Sequence, residues 1–98
     1  MLRGVNPHWL VELVEVREQG DSYRLVEFYV NPSQIVSVRD HSPSQHLVEQ
    51  TGRIGLSEHI EFSTVEIKEA TGNRQLRVVG SARSIYLKVN NKKGILKG

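Results

Sequence analysis

The sequence predicts a mainly β, α+β domain with about five strands, mostly antiparallel, one short C-terminal helix and a long loop at residues 40–59. Apolar and polar residues alternate on both sides of Asn31-Pro32, and a glycine-containing turn at residues 70–74 separates two more alternating runs. Such alternation is typical of strands with one buried face. The 98 residues leave room for one domain, which we place at residues 1–89.

The central element is a strand, a turn and a second strand over residues 26–39. Val26, Phe28 and Val30 fall on one side of an extended chain. Proline at position 32 lacks the N–H that a ladder needs, so the first strand stops there. Alternation resumes at Val36, which predicts the second strand.

Residues 6–18 allow two interpretations. Asn6-Pro7 is a good helix start, and Gly20 would end that helix. A hairpin with strands near 10–18 and 23–30, joined across Gly20-Asp21-Ser22, explains both halves with one short connection, and we favour it.

Residues 60–79 predict a second hairpin, with its loop at residues 70–74. The alternation changes phase between Phe62 and Val65, which predicts a bulge or kink at Ser63-Thr64. Within the 40–59 loop, Ser42 or Ser44 could cap one helical turn over residues 45–50 that ends at Gly52.

The C-terminal part also allows two structures. Apolar residues at helical spacing follow a Ser81 N-cap, whereas Ile85, Leu87 and Val89 also alternate as in a strand. We favour the helix. Residues 90–98 are predicted to be a flexible basic tail.

Composition restricts the class of protein. The chain has no cysteine, which excludes a disulfide framework, and no apolar run long enough to span a bilayer. No signal-peptide pattern follows Met1, so a cytoplasmic protein is expected. Residues 1–69 hold all 11 acids and 6 bases, whereas residues 70–98 hold 7 bases and no acid. This asymmetry is typical either of nucleic-acid or acidic-protein contact or of self-association.

The basic end supplies the candidate contact residues for a protein partner or a nucleic acid. These are the basic residues and one tyrosine that could meet phosphate, bases or a protein surface: Arg74, Arg77, Arg83, Tyr86 and Lys88.

No motif predicts chemistry. The four histidines, His8, His41, His46 and His59, have no metal-ligand spacing and are interpreted as solvated loop residues. There is no nucleophile elbow and no P-loop. We therefore predict a protein that is not an enzyme, with no catalytic residue, no metal, no cofactor and no small-molecule substrate.

Two segments carry a resemblance. Residues 28–38, FYVNPSQIVSV, resemble the F-x-V-N-P-x-x-I-x-x-I segment of the small FlbD-like flagellar and swarming-motility proteins. Residues 64–81 are similar to the hairpin that leads into a helix in that family. The same segments partly resemble the C-terminal half of LytTR-type DNA-binding domains, which implies phosphate or base contacts for Arg74, Arg77 and Arg83. The resemblance implies an architecture more than a function.

From these observations we expect a small regulatory or adaptor module that binds a protein partner or itself, as a homo-oligomer, without membrane contact. The alternative is a nucleic-acid-binding regulator that uses residues 70–98. Charge alone does not decide between them.

Overall fold

The computed structural model describes residues 9–56 and 59–97, with side chains through residue 91. In this part of the chain, five antiparallel strands form one sheet: β1 (Val11–Gln19), β2 (Ser22–Val30), β3 (Ile35–His41), β4 (Phe62–Glu69) and β5 (Gly72–Val79). Two helices accompany it, α1 (Gln45–Arg53) and α2 (Ala82–Lys97). The predicted β-rich α+β fold is confirmed.

Both predicted hairpins are present. β1 pairs with β2 across the two-residue turn Gly20-Asp21, and β4 pairs with β5 across Ala70-Thr71. Gly20 has a φ of 62° and Gly72 a φ of 123°, a region that disfavours residues with a side chain. The hairpin interpretation of the N-terminal region is thus correct, and the helix interpretation is wrong.

The strands lie in the order β2-β1-β5-β4-β3, so β2 and β3 form the two edges although they follow each other in sequence. Only a short 3-10 turn, Pro32–Gln34, joins them, and the Asn31 side chain accepts the Ser33 N–H at 3.0 Å. In a flat sheet, the four spacings that separate β2 from β3 would add up to about 19 Å. Five fully extended residue steps reach at most about 18 Å. Three of the connecting residues form a 3-10 turn, which is shorter than an extended chain, and the sheet must therefore curve.

Helix α2 covers one face of the curved sheet, which we call the α2 face. Ser81 caps it by accepting the Ser84 N–H at 3.1 Å, as predicted. The Asp40 carboxylate also accepts the Ala82 N–H at 3.0 Å, which ties the helix start to β3. The buried residues that pack together on this face come from every strand and from α2: Val11, Leu13, Val30, Ile35, Val65, Ile67, Leu76, Val78, Ile85 and Val89.

Helix α1 covers part of the opposite face, which we call the α1 face. Ser44 accepts the Leu47 N–H at 3.1 Å, so the segment at residues 40–59 contains a nine-residue helix where a single turn is predicted. Buried Leu47 packs with Val16 and Phe62 in a second, smaller cluster. His41 therefore lies in β3 and His46 in α1, so their interpretation as loop residues is wrong, although His46 is exposed to solvent as predicted.

The predicted bulge at Ser63-Thr64 is wrong. Both residues pair in register with β5, and the register shift of the sheet lies in β3, between Ile35 and Ser37. The apolar alternation changes phase between Phe62 and Val65 because both faces of the sheet are partly buried. Phe62 packs under α1, whereas fully buried Ser63 faces the other way and donates its hydroxyl to the Gly80 carbonyl at 2.7 Å.

Helix α2 extends to Lys97, past residue 89, where the sequence predicts the domain to end. The division into a domain at 1–89 and a flexible basic tail at 90–98 stays a prediction. Within the described residues, no helix has the length and apolar character needed to cross a membrane.

Candidate functional site

The free edge of β2 is the most regular unpaired surface of the sheet. Within the described residues β2 pairs with β1 alone, and all nine of its residues pair without a register shift. Gln19 and Ser22 flank the two-residue turn, so this pair exchanges both hydrogen bonds, and every second pair after it does the same. The residues between these pairs point their N–H and C=O groups away from β1: Tyr23, Leu25, Glu27 and Tyr29.

The side chains of the same residues lie on the α1 face. Tyr23 is half-buried and packs beside α1, whereas Leu25 is 37% exposed and Tyr29 is 48% exposed. The Tyr29 hydroxyl donates to the Glu12 carboxylate at 3.2 Å. The negative charge of that carboxylate raises the pKa of Tyr29 above 10.0, because it would repel the negative charge of the phenolate. The open part of the edge is therefore residues 25–29.

The opposite edge, β3, is shaped differently. Its register shift lies between Ile35 and Ser37, and α2 packs beside it. Between β3 and α2 is a groove of about 210 Å³, lined mainly by apolar side chains that include Val36, Val38 and Tyr86. Val36 and Tyr86 are both more than half exposed. A bulge of this kind twists an edge away from a regular partner strand.

The five predicted contact residues lie on separate surfaces. Arg74 is at the start of β5, where its guanidinium pairs with the Glu69 carboxylate at 3.2 Å across the hairpin. Arg77 lies on the α1 face.

The three predicted residues of α2 point in different directions. Arg83 lines a shallow cavity of about 290 Å³ together with Asp40 and His41. Tyr86 lines the groove along β3, and the Lys88 ammonium reaches the Glu12 carbonyl of β1 at 3.5 Å. The structure therefore does not bring the predicted set together into one surface.

Arg77 instead has neighbours that the sequence does not indicate. Its guanidinium lies over the Tyr23 ring, 5.8 Å from the ring centroid, and the Tyr23 ring lies 5.8 Å from the His46 ring. On the other side, Thr64 pairs directly with Arg77, and its hydroxyl is 3.4 Å from Nδ1 of His41. We call Tyr23, His41, His46, Thr64 and Arg77 the Arg77 cluster.

Two properties of the Arg77 cluster are electrostatic. The Nε atom of Arg77 is buried and has no hydrogen-bond partner among the described residues. Partial burial, and then the nearby Arg77 charge, lower the pKa of His41 below 6.5, since both disfavour the imidazolium. No local pattern could have revealed the cluster, because it depends on which strands become neighbours. The sequence does show one unusual feature, a positively charged residue, Arg77, between the apolar residues Leu76 and Val78 of a strand.

Other chemistry is sparse in the described part of the chain. Residues 9–56 and 59–97 contain no group of three or more histidine, aspartate or glutamate side chains that could hold a metal ion. His8 lies outside the described residues. The Thr64 hydroxyl beside His41 is a nucleophile next to a base, but no described carboxylate bonds the imidazole to orient it.

Comparison with known proteins returns no match: neither a protein-family model, nor a curated protein, nor a solved structure matches the chain. The resemblance to the FlbD-like and LytTR-type families therefore stays a prediction.

Proposed function

We propose that the chain is a non-catalytic interaction module that accepts an extended segment of a protein partner, or of a second copy of itself, along β2. The observation that supports this function is the nine-residue edge without a register shift, which offers unpaired N–H and C=O groups at regular spacing. Such groups bind an added strand through main-chain hydrogen bonds, and alternate side chains supply specificity.

The exposed side chains of the edge fit this role. Leu25 and Tyr29 are exposed apolar and aromatic residues on the same side of the strand, with Glu27 between them. A partner strand would place its own side chains directly beside them, about 4.5–5.5 Å away between Cβ atoms. Aromatic residues are enriched at the centre of protein interfaces, which favours Tyr29 as an anchor.

Natural edge strands are usually protected against pairing by proline, by a bulge, by short length or by charged side chains, and of these β2 has the charged residues Arg24 and Glu27. β2 contains no proline and pairs without a shift over its whole length. Only its ends are covered, by α1 near Tyr23 and by the 3-10 turn after Val30. An edge left open in this way favours a binding role for the middle of the strand.

Nucleic-acid binding stays a prediction from charge, and no observation favours it as a second function. The basic residues that would carry it lie on different surfaces, and Arg74 is already paired with Glu69. A nucleic-acid site needs these charges along one continuous surface that follows the phosphate backbone.

A proline at position 27 tests the proposed function. Glu27→Pro removes an N–H that points away from β1, so the β1–β2 ladder keeps its hydrogen bonds while the free edge loses one. Glu27→Ala is the matched control, because it removes the same carboxylate and keeps the N–H. Both variants should give the same circular dichroism spectrum as the wild type.

The wild type, Glu27→Pro and Glu27→Ala are then compared in two binding assays. Sedimentation velocity over a concentration series measures self-association, and titration with extended peptides selected on the wild-type chain measures partner binding. We expect the wild type and Glu27→Ala to bind in at least one of the two assays, and Glu27→Pro to bind at least about tenfold more weakly, which corresponds to about 1.4 kcal/mol. The proposal is wrong if the wild type binds in neither assay, or if the proline variant binds as well as the alanine variant.

A further inference from the structure

Arg77 carries a positive charge that the described residues leave unbalanced. It makes no ion pair and no side-chain hydrogen bond there, and its contact is with the Tyr23 ring. Its Nε atom is buried, although arginine side chains are seldom buried without a partner. A buried donor on a charged group is costly to leave unpaired.

The residues paired with Arg77 and Thr64 on the neighbouring strands add donors, and no ion pair of the described residues includes Arg77. Thr64 lies directly opposite Arg77 on β4 and contacts His41, and Arg39 lies directly opposite Thr64 on β3. All of these residues are on the α1 face, on three neighbouring strands. Directly opposite residues on such strands bring their Cβ atoms within about 5.5 Å of each other.

The closest carboxylate on the same face of β4 is already occupied. Glu66 accepts the Asn73 amide at 2.9 Å and the Ser37 hydroxyl at 3.3 Å. Glu66 therefore belongs to a separate hydrogen-bond network, two residues further along β4 than Thr64. The charge of Arg77 is left to attract an anion from solution.

We propose that the Arg77 cluster binds a small phosphate-bearing ligand, whose phosphate group lies between the Arg77 guanidinium, the Thr64 hydroxyl and the His41 imidazole. A guanidinium offers a planar fork of donors that matches phosphate oxygens, and the hydroxyl and imidazole complete the coordination of a tetrahedral anion. The Tyr23 ring, packed between α1 and the sheet, holds the guanidinium in place. The site is separate from the open part of the β2 edge and does not depend on strand addition.

Arginine variants of the full chain test the proposal. Arg77→Gln removes the charge and keeps a side chain of similar length, and Arg77→Lys keeps the charge and removes the Nε donor. Arg74→Gln is the matched control, because Arg74 is an arginine of the same strand that is already paired with Glu69. Inorganic phosphate and glycerol phosphate serve as probes, and sodium chloride at equal ionic strength corrects for screening.

Nuclear magnetic resonance gives two readouts, the Arg77 Nε–H signal and the pH titration of the His41 ring. We expect a saturable shift of the Nε–H signal with either probe, and a rise in the pKa of His41, because a bound anion favours the imidazolium. Affinity should fall at least about tenfold in Arg77→Gln and less in Arg77→Lys, and it should stay unchanged in Arg74→Gln.

The melting temperature is a second measurement that remains usable if Arg77→Gln folds poorly. Phosphate should raise it in the wild type and in Arg74→Gln more than chloride does, since a ligand stabilises the state that binds it. The proposal is overturned if phosphate and chloride act alike on the wild type, or if the Arg77 and Arg74 variants respond equally. Neither result would affect the strand-addition proposal, which is tested at Glu27.

Discussion

Strand β3 ends one side of the sheet beside helix α2, with a register shift after Ile35, whereas strand β2 ends the other side with nine regularly paired residues. Helix α2, which follows β5 in the chain, packs beside β3, and the Asp40 carboxylate accepts the Ala82 N–H at the start of that helix. No described element returns along β2. A sheet with one covered edge and one open edge directs strand addition to a single place.

The largest expected effect comes from weakening the packing of α2 on the sheet. Ile85 is 2% exposed and belongs to the core on the α2 face. Ile85→Ala should lower the free energy of unfolding by about 2–5 kcal/mol, because it leaves a cavity between α2 and the sheet. Urea denaturation followed by circular dichroism measures this change.

Leu87 provides the control for that measurement on the same helix. It is 52% exposed, and Leu87→Ala should change the free energy of unfolding by no more than about 0.5 kcal/mol. Equal losses in the two variants would mean that α2 does not pack on the sheet through Ile85. The contrast between a covered and an open edge would then be lost.

A smaller effect is expected at the helix that borders the start of β2. Ser44→Ala removes the hydroxyl that accepts the Leu47 N–H and should cost about 1 kcal/mol of helix stability. Hydrogen exchange in α1 should then be about fivefold faster. Ser42→Ala, at an exposed residue before the helix, should leave the exchange rates unchanged. Equal exchange in both variants would show that Ser44 is not the cap.

The smallest expected effect is a change in the titration of Tyr29, measured by nuclear magnetic resonance of its ring carbon. Glu12→Gln should lower the pKa of Tyr29 towards 10.0, because the carboxylate that disfavours the phenolate is removed. Glu27→Gln should lower it less, since Glu27 is a weaker cause of the shift. A larger change in Glu27→Gln would contradict the Tyr29–Glu12 hydrogen bond.

The same shift predicts the sign of the pH dependence. The folded-state pKa of Tyr29 is raised, so its interaction with Glu12 stabilises the fold fully below pH 10.0. That contribution is lost as the pH rises through the folded-state value. Glu12→Gln should therefore reduce the difference in stability between neutral and strongly alkaline solution.

Local patterns predict the elements of this fold well. The alternation around Val26 and Phe28, and the glycines at both hairpin turns, are properties of a few neighbouring residues, and the structure confirms the strands and turns that they predict. Ser81 is correct as a cap for the same reason, and Ser44 is the one of the two predicted alternatives, Ser42 and Ser44, that caps α1. Caps and two-residue turns need no knowledge of distant contacts.

The errors arise where distant residues meet. Period-two alternation shows which residues share a face of a strand, but not whether one face or both are buried. Phe62 belongs to a second buried face, so its phase change predicted a bulge that is absent from β4. The contact between Arg77 and Tyr23 likewise requires β5 to lie beside β1, which no local signal encodes.

The junction between β1 and β5 has a mechanical consequence. In the described part of the chain these strands have one residue pair in register, Glu15 with Val78, whereas the β1–β2 and β4–β5 hairpins are paired along their whole length. The backbone ladder is therefore shortest at this junction, and the side chains of the two hydrophobic clusters hold the two hairpins together there. When the chain is pulled, we expect the β1–β2 hairpin to separate from β5 as a unit, by bending at the 3-10 turn, before the strands within either hairpin separate.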